Sequence, residues 1–158
     1  VATIHRAENT DDPKRLAAIV RGLAAVDHPV VLLAHPRLRA RAAEQGLDLE
    51  GGSLVVRDPL PYPALVGAVG AARGVITDSG GLQKEAFALR TPCTTVRTET
   101  EWVETVELGW NVLVAPGDAE AVAAAASRER PAPTDEAPYG DGHAADAVLD
   151  ALARGGRG

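Results

Sequence analysis

Short apolar runs rich in β-branched residues alternate along the chain with segments whose apolar residues recur at helical spacing. Six of these runs are predicted strands, at residues 1–4, 30–34, 53–57, 74–77, 93–97 and 111–114. Helices are predicted between them, near residues 37–45, 62–72, 80–90, 101–107 and 118–128. Continuous apolar strands that alternate with helices are typical of a parallel sheet covered on both faces. The predicted fold class is therefore α/β, a doubly wound, Rossmann-like parallel six-stranded sheet.

A further helix is predicted directly after the first strand. Its start is marked by Asp12 as the N-cap and by Pro13 at the first helical position. The apolar residues that follow recur on one helix face, at Leu16, Ile19, Val20, Leu23 and Val26.

In the commonest strand order of doubly wound folds, 3-2-1-4-5-6, the first and fourth strands are neighbours and ligands bind beyond their carboxyl ends. We therefore expect His5 and the "DSGG" motif of residues 78–81 to face each other across one crevice.

The character of the sequence changes after residue 128. The stretch "RERPAPTDEAPYGDG" is rich in proline, glycine and acidic residues, and such a composition indicates a surface loop. We expect a domain over residues 1–128, a loop over 129–140 and a terminal helix over 141–154 that packs back on the domain. The last residues, "RGGRG", are expected to be frayed.

Composition narrows the class of protein. At 158 residues and 46% hydrophobic content, the chain can form one domain with a core. A net charge of −6, scattered cations and 3% aromatic residues argue against a nucleic-acid partner. No run of about 18 apolar residues is present, so we expect no membrane partner and a cytoplasmic location. The chain has no methionine and opens on "VATIH", which predicts that it is a piece of a longer protein.

The metal-binding residue types are sparse. Cys93 is the single cysteine, which excludes an internal disulfide and a cysteine-rich zinc site, and we expect it to be a core thiol. The four histidines are scattered and form no pair at i, i+4 spacing. We therefore predict no metal site and no cofactor.

The segment "TDSGG" joins a predicted strand to a predicted helix. Ser79 is a good N-cap residue, and Gly80 and Gly81 fall in the first helical turn, where backbone amides have no partner within the helix. Glycines let an anion approach these amides, and the helix dipole favours negative charge there, so the turn suits a phosphate or pyrophosphate. The alternative is that the two glycines only allow a tight turn, because the spacing matches neither the P-loop nor the dinucleotide fingerprint.

Glu85 lies four residues after Gly81, on the same side of the helix and about 6 Å along its axis. A carboxylate at that distance can accept hydrogen bonds from a vicinal diol such as ribose without meeting the phosphate. Together with Ser79 to Gly81, it predicts a nucleoside diphosphate site. The alternative for Glu85 is a solvated surface carboxylate, and Lys84 beside it is expected to face solvent.

Other candidates lie at strand ends. His5 ends the first strand, where an imidazole can hold a phosphate or transfer a proton. Arg97 ends the fifth strand and can supply a cation to the same pyrophosphate, or it can form a structural ion pair with Glu99, Glu101 or Glu104. His35 follows the second strand, one place removed from the crevice.

Three segments carry a family resemblance over roughly residues 1 to 125: "TIHRAEN", "TDSGGLQKEAFALRTPC" and "VRTETEWVETVELGWNVLV". In order and spacing they resemble the C-terminal half of the non-hydrolysing UDP-N-acetylglucosamine 2-epimerases. The resemblance implies a GT-B-like fold in which this chain is the nucleotide-binding domain and an N-terminal partner domain is absent. It also implies UDP and a UDP-N-acetylhexosamine as ligands and a homodimeric complete protein.

The resemblance implies a role for each matching residue. His5 would contact the pyrophosphate and contribute to catalysis. The phosphates would lie at Ser79, Gly80, Gly81 and Arg97, and the ribose at Glu85. Arg6 and His35 match positions that border a second, regulatory nucleotide-sugar site. Leu65 stands where the family often has an aromatic residue against uracil.

The implied reaction is inversion at C2 of the sugar, by elimination of UDP and its re-addition after a proton returns on the other face. The acid and base carboxylates of that reaction belong to the N-terminal domain, so this chain alone is expected to bind UDP without catalysing turnover. The alternatives are a GT-B glycosyltransferase domain, a hydrolysing epimerase domain and a non-catalytic nucleotide-sugar binding module.

Overall fold

The computed structural model describes residues 1–155. Its six strands are β1 (Ala2–Thr3), β2 (Val30–Leu33), β3 (Leu54–Arg57), β4 (Val75–Thr77), β5 (Cys93–Thr95) and β6 (Asn111–Leu113). They form one sheet in the order β3-β2-β1-β4-β5-β6, and every neighbouring pair is parallel. The predicted fold class and strand order are confirmed.

Eight helices accompany the strands in the described part of the chain. They are α1 (Ala7–Thr10), α2 (Pro13–Ala24), α3 (Pro36–Glu44), α4 (Tyr62–Ala71), α5 (Gly80–Ala88), α6 (Val103–Glu107), α7 (Ala119–Ala126) and α8 (Ala144–Gly155). The helices predicted between the strands are all present, with ends within two residues of those expected. The sequence did not predict α1, because a helix of four residues is too short to show a helical period.

The start of α2 follows the sequence signal. The Asp12 carboxylate accepts hydrogen bonds from the Lys14 and Arg15 amides at 2.9 and 3.1 Å, and Pro13 occupies the first turn. These bonds satisfy two amides that have no partner within the helix. The apolar face of α2 is buried as predicted, at Leu16, Ile19, Val20 and Leu23, and Val26, which follows the end of the helix, is buried as well.

The core has one cluster on each face of the sheet. In β4, Val75 packs with residues of α4 and α5, whereas Ile76 packs with residues of α2 and α7. Because successive side chains of a strand point to opposite faces, the two clusters cover the two sides. The thiol of Cys93 is buried in the α4–α5 cluster, and burial raises its pKa to about 11. This layering holds α5 against the carboxyl end of β4.

The C-terminal segment differs from the prediction. Helix α8 forms, but it does not pack on the domain: Val148, Leu149 and Leu152 are 58, 64 and 68% exposed. A helical period shows that one face is apolar and does not say which surface covers that face. Gly140 and Gly142, with φ of 82° and 91°, turn the chain just before the helix. The expected fraying of the end concerns residues 154–158. Arg154 and Gly155 still belong to α8, and residues 156–158 lie outside the described part of the chain.

Within residues 1–155, none of the helices combines the length and the apolar character that a membrane span requires.

Candidate functional site

The crevice expected between the first and fourth strands is present. Strands β1 and β4 are paired, with Thr3 opposite Thr77, and the hydroxyls of these two residues are 2.7 Å apart. The chain leaves the sheet just after both residues. The loop that begins at His5 and the loop that begins at Asp78 therefore start side by side at the carboxyl edge of the sheet.

Asp78 links these two loops through hydrogen bonds that its carboxylate accepts. Its carboxylate is fully buried and accepts hydrogen bonds from the His5 amide at 3.1 Å and from the Arg6 amide at 3.0 Å. The fully buried Asn9 donates to the same carboxylate at 3.0 Å and to the carbonyl of Val96 at 3.2 Å. The sequence analysis gave neither Asp78 nor Asn9 a role in the site, although both lie in the motifs that it quoted.

The first turn of α5 is left open to a ligand. Ser79 has the extended backbone of an N-cap, but among residues 1–155 its side chain makes no capping hydrogen bond. Its own amide donates to Thr77 Oγ1 at 3.0 Å. Apart from its chain neighbours and the backbone of α5 itself, no described residue has an atom within 4 Å of the position that a Cβ would take at Gly81. Ser79 is thus an N-cap by position only, and the turn is open at Gly81, whereas Glu101 and Arg97 side-chain atoms lie 3.6 and 3.9 Å from the Cβ position at Gly80.

A cavity of about 240 Å³ lies in front of this turn. Four of the predicted site residues line it together: His5, Ser79, Gly81 and Glu85. The other lining residues are Thr3, Tyr62, Leu65 and Leu82. The cavity therefore joins a helix N-terminus, an imidazole and a carboxylate within one concave surface. The other two predicted binding residues, Gly80 and Arg97, do not line it.

Tyr62 is a cavity residue that the sequence analysis missed. It is 62% exposed, and its hydroxyl donates to Glu85 Oε1 at 3.1 Å. This hydrogen bond to a carboxylate raises the pKa of Tyr62. One carboxylate oxygen of Glu85 is thus held by the phenol, while the residue stays at the cavity wall. The only sequence feature that could have indicated Tyr62 as a site residue is that it is aromatic, in "PLPYP". It lies 23 residues before Glu85 in the sequence.

Arg97 forms the structural ion pair that was one of its two predicted roles. Its side chain is 6% exposed and donates two parallel bonds to Glu101, at 2.9 and 3.0 Å. These bonds hold the pKa of Glu101 at about 2. The guanidinium also lies 3.9 Å from the position of a Cβ at Gly80. It lines a separate cavity of about 280 Å³, together with Arg6, Arg15, Glu8, Glu99 and the segment from Ala115 to Gly117.

The Arg97–Glu101 pair should give the domain a specific acid sensitivity. The pKa of Glu101 falls from its usual 4.5 to about 2, so between these pH values the unfolded chain binds the proton more readily than the folded one. The stabilisation is complete above pH 4.5 and is lost as the pH falls to about 2. We expect Glu101→Gln to flatten the fall in the free energy of unfolding across this window, measured by urea unfolding at stepwise pH. An unchanged profile would contradict the role of the pair.

The two residues of the expected regulatory site make different contacts. Arg6 is paired with Glu8 at 3.1 Å and lines the cavity of Arg97. His35 accepts the Arg37 amide at its Nδ1, at 3.2 Å, and so caps α3. Its ring centroid is 6.5 Å from that of His5, which brings His35 nearer to the crevice than expected.

Lys84 was expected to face solvent, but its ammonium group lies beside two aromatic rings instead. Its ammonium lies 5.1 Å from the ring centroids of both Trp102 and Tyr139, and the two rings meet edge to face at 5.4 Å. A cation over aromatic faces is attracted by the ring quadrupoles. Tyr139 also contacts Phe87 edge to face and donates to Glu104 at 3.2 Å. Lys84 is therefore part of a cluster on the outer side of α5.

Comparison with known proteins supports one family. A sequence model of the family described as UDP-N-acetylglucosamine 2-epimerase matches residues 1–153. The UDP-2,3-diacetamido-2,3-dideoxy-D-glucuronate 2-epimerase of Pseudomonas aeruginosa is 44% identical over 158 residues, which cover 98% of this chain and 44% of that protein. The UDP-N-acetylglucosamine 2-epimerase of Methanocaldococcus jannaschii is 32% identical, over 97% of this chain and 44% of that protein.

The fold agrees with that of solved members. The M. jannaschii enzyme in complex with UDP-GlcNAc and UDP superposes with a TM-score of 0.83 at 32% identity, over 97% of this chain and 44% of that one. The chain thus spans about 44% of the length of the relatives it matches. Because the family model matches nearly its whole length and a solved member of the family has the same fold, the chain belongs to the UDP-N-acetylglucosamine 2-epimerase family.

Proposed function

We propose that this chain is the UDP-binding domain of an epimerase that inverts C2 of a UDP-linked 2-acetamido sugar. The observation that carries the proposal is the cavity at the carboxyl edge of the sheet, which joins His5, the open first turn of α5 and Glu85. A relative at 32% identity has been solved with UDP-GlcNAc and UDP bound, which supports a nucleotide-sugar ligand.

In this proposal the amides of Gly80 and Gly81, with the hydroxyl of Ser79, bind the pyrophosphate at the positive end of the helix dipole. The ribose lies one helical turn further along, where Glu85 accepts its hydroxyls. His5 contacts the pyrophosphate from the opposite side of the crevice. Charge builds on UDP as it leaves the sugar, so donors aimed at the phosphates lower the barrier.

Arg97 joins the same site once a nucleotide is present. Its guanidinium is buried beside Gly80 and is already compensated by Glu101. A phosphate at the first turn of α5 would share this cation with the carboxylate. In the same proposal, Arg6 and His35 border a second, regulatory nucleotide-sugar site.

The reaction itself needs groups outside this chain. Elimination removes the proton from C2 and breaks the bond between C1 and the UDP oxygen. Re-addition returns a proton to C2 on the other face as UDP attacks C1. The acid and base carboxylates belong to an N-terminal domain in this proposal, so the chain alone binds UDP without turnover. The complete protein is a cytoplasmic homodimer in the same proposal.

The sugar has two candidates. The M. jannaschii relative at 32% identity is a UDP-N-acetylglucosamine 2-epimerase, whereas the P. aeruginosa relative at 44% identity is named for a 2,3-diacetamido glucuronate. Both sugars carry an acetamido group at C2, where the inversion takes place. Incubating the complete protein with each UDP-sugar and identifying the sugar products would distinguish the two. Free sugar would instead indicate a hydrolysing enzyme, and transfer to an acceptor a glycosyltransferase.

The first test is thermal melting of the chain with UDP. Ligand at 100 times its dissociation constant should add about 2.7 kcal/mol, which raises the midpoint by roughly 5 to 10 °C for a domain of this size. We expect Glu85→Gln and His5→Ala each to reduce this rise, since each removes one contact to the nucleotide.

Two matched substitutions serve as controls. Glu120→Gln and His143→Ala change the same residue types at exposed positions that do not line the cavity. Both should leave the response to UDP unchanged. If millimolar UDP produces no shift in the unsubstituted chain, the UDP-binding proposal for this chain is wrong.

A further inference from the structure

Two carbonyl groups at the start of α5, those of Ser79 and Gly80, are each bound by a side chain. Gln83 Nε2 donates to the carbonyl of Ser79 at 3.1 Å, and Trp102 Nε1 donates to the carbonyl of Gly80 at 2.7 Å. Ordinary capping side chains bind the amides of a first turn. Here the side chains bind the carbonyls and leave the amides free.

These two bonds act on the amides because the peptide group is planar. The carbonyl of Ser79 and the amide of Gly80 belong to one peptide group, and the carbonyl of Gly80 and the amide of Gly81 belong to the next. Fixing each oxygen therefore fixes the direction of the N–H on the other side of the same plane. A hydrogen bond accepted by the carbonyl also polarises the group and strengthens the N–H as a donor.

Gln83 is itself held in a buried polar network. It is fully buried, and its Oε1 accepts from Thr100 Oγ1 at 2.6 Å and from Asn111 Nδ2 at 3.1 Å. Asn111 in turn accepts from Thr95 Oγ1 at 2.8 Å, in the strand next to β4. A glutamine side chain in such a network has one orientation, because any rotation leaves buried polar atoms without partners.

The side chain and the backbone of Trp102 are also held in place by neighbouring residues. Its ring packs against Tyr139 at 5.4 Å, and the ammonium of Lys84 lies 5.1 Å from its centroid. Its backbone amide donates to Thr100 Oγ1 at 3.0 Å, which is the hydroxyl that binds Gln83. The loop "TETEW" therefore connects both carbonyl bonds to one another.

We propose that Gln83 and Trp102 are positioning residues that aim the amides of Gly80 and Gly81 at the diphosphate of the nucleotide. This inference rests on the proposed UDP site. Neither side chain lines the cavity, so neither touches the nucleotide in this scheme. Their effect reaches only the phosphates and leaves the nucleoside contacts unchanged.

The test compares UDP with uridine, which lacks the phosphates, in calorimetric titrations of the chain. Trp102→Phe keeps an aromatic ring for Tyr139 and Lys84 but removes the donor to Gly80. We expect it to weaken UDP binding about fivefold to tenfold, the typical net value of one hydrogen bond, and to leave uridine binding unchanged. The amide resonance of Gly81 in nitrogen-proton correlation spectra should also shift less on addition of UDP. Gln83→Met, which removes the donor to Ser79, should reproduce the selective loss.

The chain offers a matched control in its other tryptophan. Trp110 is 3% exposed, and its Nε1 has no hydrogen-bond partner among the described residues. Trp110→Phe should lower the melting midpoint without changing either affinity. Equal UDP affinity in Trp102→Phe and the unsubstituted chain would overturn the positioning role alone, and so would a parallel loss of uridine and UDP. Absence of UDP binding by the unsubstituted chain would overturn the proposed UDP site and the positioning role with it.

Discussion

Replacing Gly81 by aspartate should lower the affinity for UDP more than about a hundredfold, which corresponds to about 2.7 kcal/mol. The side chain would extend into the open space in front of the first turn of α5, where the pyrophosphate is proposed to lie. A carboxylate there repels the phosphates, and like-charge juxtaposition across an interface costs several kcal/mol. Titration calorimetry with UDP measures the loss directly.

The same substitution should not weaken the fold. An acidic residue in a first helical turn gains about 0.3 to 1 kcal/mol from the helix dipole, and replacing glycine in a helix is favourable. Stability and affinity are therefore expected to change in opposite directions, which separates a lost binding site from a damaged domain.

Two substitutions control for bulk and for charge elsewhere. Gly81→Asn adds a side chain of the same size without the charge and should cost less affinity than aspartate. Gly67→Asp adds the charge on α4, at an exposed position that does not line the cavity, and should leave affinity unchanged. Wild-type affinity in Gly81→Asp would mean that the glycines serve only as a turn and that the phosphates do not bind at this helix.

The largest loss of stability is expected from Asp78→Ala. The substitution leaves the amides of His5 and Arg6 and the side chain of Asn9 without their shared acceptor. Each buried donor left unpaired costs about 1 to 3 kcal/mol, and partial access of water to the two amides reduces the sum to about 3 to 5 kcal/mol. The melting midpoint should fall by roughly 10 °C, and UDP binding should weaken because the loop of His5 is released.

Asp118→Ala is the matched control for this prediction. Asp118 also accepts a backbone amide, that of Ala121 at 2.9 Å, but it does so at an exposed helix N-terminus. Its removal should cost about 1 kcal/mol. If urea unfolding showed the same loss in the free energy of unfolding for Asp78→Ala and Asp118→Ala, the proposal that Asp78 links the two crevice loops would be wrong.

The features that are local in the chain could be read from the sequence. The strands, the helices between them and the cap at Asp12 depend on residues within a few positions of each other, so their patterns are visible in one dimension. The strand order followed from the preference of parallel sheets for one topology, and the order brought His5 to the motif of residues 78–81. The nucleotide-binding interpretation of Ser79, Gly81 and Glu85 rested on this local reasoning.

The contacts that complete the site join residues far apart in the sequence. Such contacts produce no pattern in the sequence from which they could be predicted. Asn9 reaches Asp78 across 69 residues, and Tyr62 reaches Glu85 across 23. Arg97 has three acidic residues within the next seven positions, and only the packing shows that Glu101 is its partner.

The terminal helix also combines a feature that the sequence predicts with one that depends on the tertiary structure. The amphipathic pattern of α8 determined that a helix forms, whereas the exposure of its apolar face is visible only in the tertiary structure. The sequence by itself therefore determined the fold class, the strand order and the motifs at the strand ends, because these follow from local geometry and from the constraints of a parallel sheet. Only the tertiary structure decided which polar groups are buried together, because burial depends on every element that packs around a residue.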